Sequence, residues 1–234
     1  MKKSDSVTYY CFIQDHSGSM SNKKQLAINN FNEQIATLLK EDDNSIENLI
    51  SIVEFDDDIN CNIDGVELSK IEKMESWWLG GMTSLYDAIG YGIEIIEKKL
   101  KNDTRKDKAA IIIVQTDGEE NSSSKYKGEE GRINIKKKID DLEATKIWTF
   151  TFLGENIDKS VAMDMGFKLG NIMNHKSDLN SVHNAYYCVT SNLSEYAQSR
   201  KAGMTQTMSF YDKEEENDDN DPGRVAEHGN APDC

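Results

Sequence analysis

The sequence predicts an α/β fold, a mostly parallel sheet with helices on both faces. Three observations predict it. Short apolar runs at residues 7–14, 49–55, 109–114 and 146–153 alternate with longer stretches of helical spacing. Residues 109–114, Ala-Ala-Ile-Ile-Ile-Val, are aliphatic throughout, as a strand buried on both faces must be. At residues 59–63 the pattern changes: Ile59, Cys61 and Ile63 alternate with Asn60 and Asn62, the period of a half-exposed antiparallel edge strand.

The elements follow in order. Residues 7–14 are rich in aromatic and β-branched side chains and read as a buried strand. Leu26, Ile28, Phe31, Ile35, Leu38 and Leu39 then recur close to helical period, giving a helix from near Lys23. A second buried strand at 49–55 is followed by an Asp56-Asp57-Asp58 turn and the edge strand. Residues 65–78 are less regular and are expected to cross the end of the sheet. The Gly-rich stretch at 80–84 runs into a helix reaching about Lys101. The central strand at 109–114 ends at Gln115-Thr116-Asp117-Gly118. A polar loop is expected at 122–131, a helix at 133–142 and another strand at 146–153. Asp158 and Asp178 stand where each can cap a helix, a short one ending near Gly166 and a last one ending at Tyr196 or Arg200. A short strand at 171–174 lies between them. The apolar pattern fades after Gly203, so the domain is expected to span 1–203, with an acidic, disordered tail over 204–234.

With 42 acidic and 27 basic residues the formal net charge is −15. Nine acids and two bases fall in 212–234, so that stretch alone carries −7. Nucleic acid is a poor partner for such a chain, since phosphate binding needs a basic footprint. The cysteines at 11, 61, 188 and 234 form no Cys-x-x-Cys pair, so neither a zinc site nor a disulfide framework is indicated. The first residues do not read as a signal peptide, and no apolar run reaches the length of a membrane helix. A cytoplasmic location without membrane contact is the expectation.

The chemistry concentrates in a few short stretches. Asp15-His16-Ser17-Gly18-Ser19 lies in a strand-to-helix turn and offers only hard oxygen donors besides the imidazole. These side chains either cap the following helix or bind a hard cation such as Mg²⁺. Asp117 also lies just past a central strand, and in parallel sheets ligands bind outside the carboxyl ends of strands, where the strand order reverses. If the two strands are neighbours, Asp15 and Asp117 face one crevice, and Thr83 in its Gly-rich loop can reach the same place. His16 is expected to point to solvent, and the Asp56–Asp58 turn to be solvated. Asp87 is expected on the helix surface or beside the site, and Trp77 and Trp78 either in the core or bordering the binding face.

Asp15-x-Ser17-x-Ser19, Thr83 after Gly80-Gly81, and Asp117 within Thr116-Asp117-Gly118 together resemble the metal-ion-dependent adhesion site (MIDAS) of von Willebrand factor A domains. The flavour of these motifs is similar to that of intracellular members from bacteria and their viruses. The resemblance implies a Rossmann-like six-stranded sheet in order 3-2-1-4-5-6 with strand 3 as the antiparallel edge. It implies Mg²⁺, or Mn²⁺ in vitro, on Asp15, Ser17, Ser19, Thr83 and Asp117, with one coordination position taken by an Asp or Glu of a partner protein. Function follows as metal-dependent protein binding without catalysis. Two other classes stand beside it. One is an assembly subunit of a virion or oligomeric complex, in which the acidic tail enters the metal site of its own or a neighbouring molecule. The other is a Mg²⁺-dependent phosphoryl-transfer enzyme. Against the enzyme, the sequence has neither a Gly-x-x-x-x-Gly-Lys-Ser/Thr loop nor a Gly-x-Ser-x-Gly elbow.

Overall fold

The computed structural model describes residues 4–211. Six strands form one sheet: β1 (Ser6–Asp15), β2 (Glu47–Phe55), β3 (Ile59–Glu67), β4 (Asp107–Thr116), β5 (Trp148–Glu155) and β6 (Ile172–His175). Their order is β3-β2-β1-β4-β5-β6. Every pairing is parallel except β2 with β3, which is antiparallel with two register irregularities. The period-two signal at 59–63 therefore marks the edge strand, as expected.

The alternation of side chains along β1 explains why both faces need cover. Val7, Tyr9, Cys11 and Ile13 enter one core, where they meet Ile89, Ile93 and Ile96 of α2 (Leu85–Asn102). Tyr10 and Phe12 enter the other, against Ile28, Phe31 and Ile35 of α1 (Lys24–Glu41) and Val182, Val189 and Leu193 of α5 (Leu179–Lys201). In β4, Ala110, Ile112 and Val114 join the first core and Ile111 and Ile113 the second, as an unbroken aliphatic run suits.

Most strand ends lie within a few residues of the expectation, with β3 running on to Glu67; two larger differences stand out. The helix expected at 133 begins five residues earlier, as α3 (Gly128–Glu143). Its first turn is Gly and Glu, which give no apolar period, yet Glu129 and Glu130 suit the positive end of the helix dipole. The second concerns residues 204–211, which belong to the packed body rather than to a tail. Gln206 Nε2 donates to the carbonyls of Glu143 (2.9 Å) and Trp148 (2.7 Å). The backbone N–H groups of Phe210 and Tyr211 donate to Asn171 Oδ1 and the Gly170 carbonyl, each at 2.8 Å, and both aromatic rings are buried. A pair of anchoring aromatics has no periodicity, so the sequence does not announce it. The acidic stretch 212–234 lies outside the described residues, and with it the expectations of disorder and tail-driven association.

The two caps at α4 (Lys159–Asp164) and α5 form as expected: Asp158 accepts from Ser160 N–H and Asp178 from Ser181 N–H. No described helix is long and apolar enough to cross a membrane.

β1 lies between β2 and β4; the crossover to β2 runs through α1 on one face of the sheet, and the crossover into β4 runs through α2 on the other. That is where strand order reverses, and the carboxyl ends of β1 and β4 open a crevice there.

Candidate metal centre

Asp15 is the last residue of β1 and is almost fully buried. Its two oxygens are separately engaged. Oδ1 accepts from the Ser17 backbone N–H at 2.8 Å, which turns the chain sharply, and Oδ2 accepts from the Thr116 hydroxyl at 2.5 Å. Burial pushes the Asp15 carboxyl up to about 6, against the lowering effect of those hydrogen bonds; the nearby Asp117 adds to the rise.

The capping alternative does not describe this turn. A short 3-10 segment at Gly18–Asn22 separates it from α1, whose N-cap position, Lys23, makes no side-chain capping bond; neither does Ser17. Instead the hydroxyls turn to each other and to β4. Ser17 Oγ lies 3.0 Å from Ser19 Oγ, and Ser19 Oγ donates to Asp117 Oδ1 at 2.5 Å.

Thr83 arrives from the opposite side on the loop before α2. Its backbone is clamped by residues 121–122: Thr83 N–H donates to Asn121 Oδ1 at 2.8 Å, and its carbonyl accepts from Asn121 N–H at 3.0 Å. A Cβ built on Gly118 would stand 3.2 Å from the Thr83 hydroxyl and 3.8 Å from Asp15 Oδ2, so these groups crowd one spot. The structure thus brings Asp15, Ser17, Ser19, Thr83 and Asp117 together from three segments.

The Gly80-Gly81 backbone is the floor on which this rests. Gly80 N–H donates to the His16 carbonyl (2.8 Å) and Gly18 N–H to the Gly81 carbonyl (3.2 Å), tying the two loops together. Asp56 lies so close to Gly80 that any Cβ there would fall 1.2 Å from its Oδ2. The Asp56–Asp58 turn is therefore not simply solvated: Asp56 is buried against that glycine, and Asp57 Oδ1 accepts from Met82 N–H at 3.0 Å. Asp87 likewise is buried rather than on the helix surface; it accepts backbone N–H groups of Ser124, Lys125 and Tyr126 and holds the loop that leads to α3.

His16 is the clearest correction. Expected in solvent, its side chain is fully buried, with the imidazole 4.2 Å from the Trp77 ring and 5.3 Å from that of Trp78. Burial pushes its pKa down to about 4, so the ring is neutral near pH 7. The two tryptophans divide the roles left open for them: Trp77 is buried, while Trp78 is 39 % exposed.

Two functional candidates escape the sequence reading. Lys23 Nζ lies 2.9 Å from Asp117 Oδ2 and 2.6 Å from the Glu155 carboxylate, with all three side chains largely withdrawn from water. Glu155 ends β5, one strand further along, so the rule that flagged Asp15 and Asp117 applies to it as well.

Chemically, the donors are two carboxylates and three hydroxyls. Oxygen donors of this kind suit Mg²⁺ or Mn²⁺, whereas zinc sites favour nitrogen and sulfur. Among the described residues no group of three or more His, Cys, Asp or Glu is placed to hold a metal, so the hydroxyls are essential to any ion bound here.

Fold and site together define a class, and comparison with known proteins specifies it. Residues 11–186 match the model of the von Willebrand factor type A domain, and the chain belongs to that family. No curated protein sequence matches the chain. Among solved structures it is similar to proximal thread matrix protein 1 from the mussel byssus, at 13% identity and a TM-score of 0.55, covering 82% of this chain and 46% of that one. The same mussel protein with a zinc-occupied MIDAS motif matches at 15% identity and a TM-score of 0.52, covering 83% and 47%. The pilus adhesin SpaC from Lactobacillus rhamnosus GG, in its open conformation, matches at 11% identity and a TM-score of 0.59, covering 82% and 30%. The chain thus spans less than half the length of each of these structures.

Proposed function

We propose that this domain is a divalent-metal-dependent protein-binding module. Asp15, Ser17, Ser19, Thr83 and Asp117 hold Mg²⁺, replaceable by Mn²⁺ in vitro, and an Asp or Glu of a partner protein completes the coordination. One observation carries the reading: the run of close oxygen contacts from Ser17 through Ser19 to Asp117, closed on the far side by Thr83 over Gly118. With two carboxylates and three neutral hydroxyls, the site under-neutralises a divalent ion that prefers six oxygens, so a further carboxylate is attracted. The zinc-occupied MIDAS of the mussel protein supports a divalent ion on this scaffold.

The surroundings favour a protein as the source of that carboxylate. Trp78, Leu79 and Met82 are exposed by 39 %, 37 % and 50 % on the loop that carries Gly80 and Gly81. Large apolar side chains clustered beside a polar centre are a docking feature rather than a solvated rim. We read the module as non-enzymatic: the neighbouring ammonium is spent on two carboxylates and the neighbouring imidazole is buried. A second reading, an assembly subunit, draws on the matrix and pilus proteins among the structural neighbours.

The test is calorimetric titration of the full chain with Mn²⁺ and Mg²⁺, followed by titration of the loaded protein with acidic peptides containing one Asp or Glu. Metal binding that Thr83→Ala removes, and peptide binding that EDTA reverses, is expected. Metal binding unchanged in Thr83→Ala would sink the site assignment, and peptide binding indifferent to EDTA would sink the bridging role.

A further inference from the structure

Asp117 serves two masters. Its Oδ1 faces the serine hydroxyls, accepting from Ser19 at 2.5 Å, while its Oδ2 accepts from the Lys23 ammonium at 2.9 Å. The ammonium is no stray surface charge. Its side chain is 14 % exposed, it stands at the start of α1, and it is pinned from the other side by Glu155, which is itself only 7 % exposed. The carboxylate assigned to the metal is thus already half-neutralised by a fixed cation of the protein.

We propose that Lys23 is a built-in competitor that sets the affinity of the metal centre, with Glu155 as the counter-charge that holds it in check. This rests on the metal-binding reading above. A divalent ion taking Asp117 on its serine side shares that carboxylate with the ammonium, and two cations on one carboxylate repel, the more so because the ammonium side is largely withdrawn from water. Glu155 draws the ammonium toward β5 and so reduces the repulsion. Affinity for the ion is then set by how strongly Glu155 retains Lys23.

The arrangement makes opposite predictions for neighbouring residues. Lys23→Met keeps the aliphatic stem but removes the charge, and its Mn²⁺ affinity by calorimetry on the full chain is expected to rise at least about tenfold. Glu155→Gln keeps the shape but releases the ammonium toward Asp117, and affinity is expected to fall at least about threefold. Lys23→Arg keeps the charge and is expected to stay within about threefold of wild type. Equal or weaker binding in Lys23→Met would overturn the proposal while leaving the metal centre standing. A rise with both Lys23→Met and Glu155→Gln would also overturn it, since Glu155 could not then be the restraint. Binding by Lys23→Met where wild type binds nothing would support it in its strongest form. Silence from both proteins would overturn the proposal and the metal reading together.

Discussion

Two acid-bearing turns stand at the top of this sheet, and they do different things. The turn after β1 contains Asp15, and the turn after β2 is Asp56-Asp57-Asp58. By carboxylate count the second is the better cation site. Yet two of its three carboxylates are spent on backbone: Asp56 accepts from Asp58 N–H at 2.7 Å and packs on Gly80, and Asp57 accepts from Met82 N–H. The first turn has a single acid, but Asp15 is joined to Thr116 and lies beside hydroxyls from Ser17, Ser19 and Thr83. Asp15 also accepts a backbone N–H, that of Ser17, so what separates the two turns is the neighbouring hydroxyls, which can exchange a hydrogen bond for a metal bond. What makes a candidate centre is therefore the company a carboxylate keeps, not its abundance.

Substitution can break that contrast. Asp15→Ala is expected to lower Mn²⁺ affinity at least about 100-fold, while Asp57→Asn should stay within about twofold; calorimetry on both reads the difference. Parity between them would erase the distinction. Gly80→Ala probes the point where the two turns touch. Its Cβ cannot coexist with Asp56 in the present geometry, so a loss of about 1–3 kcal/mol in unfolding free energy is expected by urea denaturation.

The pH dependence sharpens the contrast further. The metal-free folded protein takes up a proton on Asp15 from about pH 6 downward, before the unfolded chain does, so this group favours folding as acid is added. His16 acts the other way: the unfolded chain protonates near its ordinary value of 6.5, the folded one only near 4, so acid disfavours folding. Between pH 6 and 4 the two slopes oppose. Asp15→Asn removes one of them, and the urea midpoint of that metal-free variant is expected to fall more steeply toward pH 4 than that of wild type. The smallest effect belongs to Asp57→Asn, which weakens one charge-assisted hydrogen bond to Met82 N–H and should cost about 0.5–1.5 kcal/mol.

Much of this was legible in the sequence. The aliphatic run of β4 and the alternation of β3 define the sheet, and the spaced Asp, Ser and Thr residues mark the five side chains that the fold gathers. What was not legible depends on register and on irregular chain. Glu155 becomes a neighbour of Asp117 only because β5 pairs with β4 so that Gly154 stands opposite Thr116. Lys23 looks like any lysine at the start of a helix until that register is known. His16 was misplaced because residues 71–80 carry no regular period, and nothing in a non-repeating stretch shows that two indoles will fold back over the β1 turn. Residues 204–211 went unread for the same reason.

The packing of Trp77 and Trp78 around His16 has a practical consequence. The chain has three tryptophans, and the third, Trp148, lies at the start of β5 beside Phe150, at the opposite end of that strand from Glu155. Two of the three indoles therefore sit against the loop that carries the candidate donors, one shielded and one open to water. A shift of this loop is expected to change the emission colour or intensity, so the native protein offers a readout of metal addition without a dye or a label.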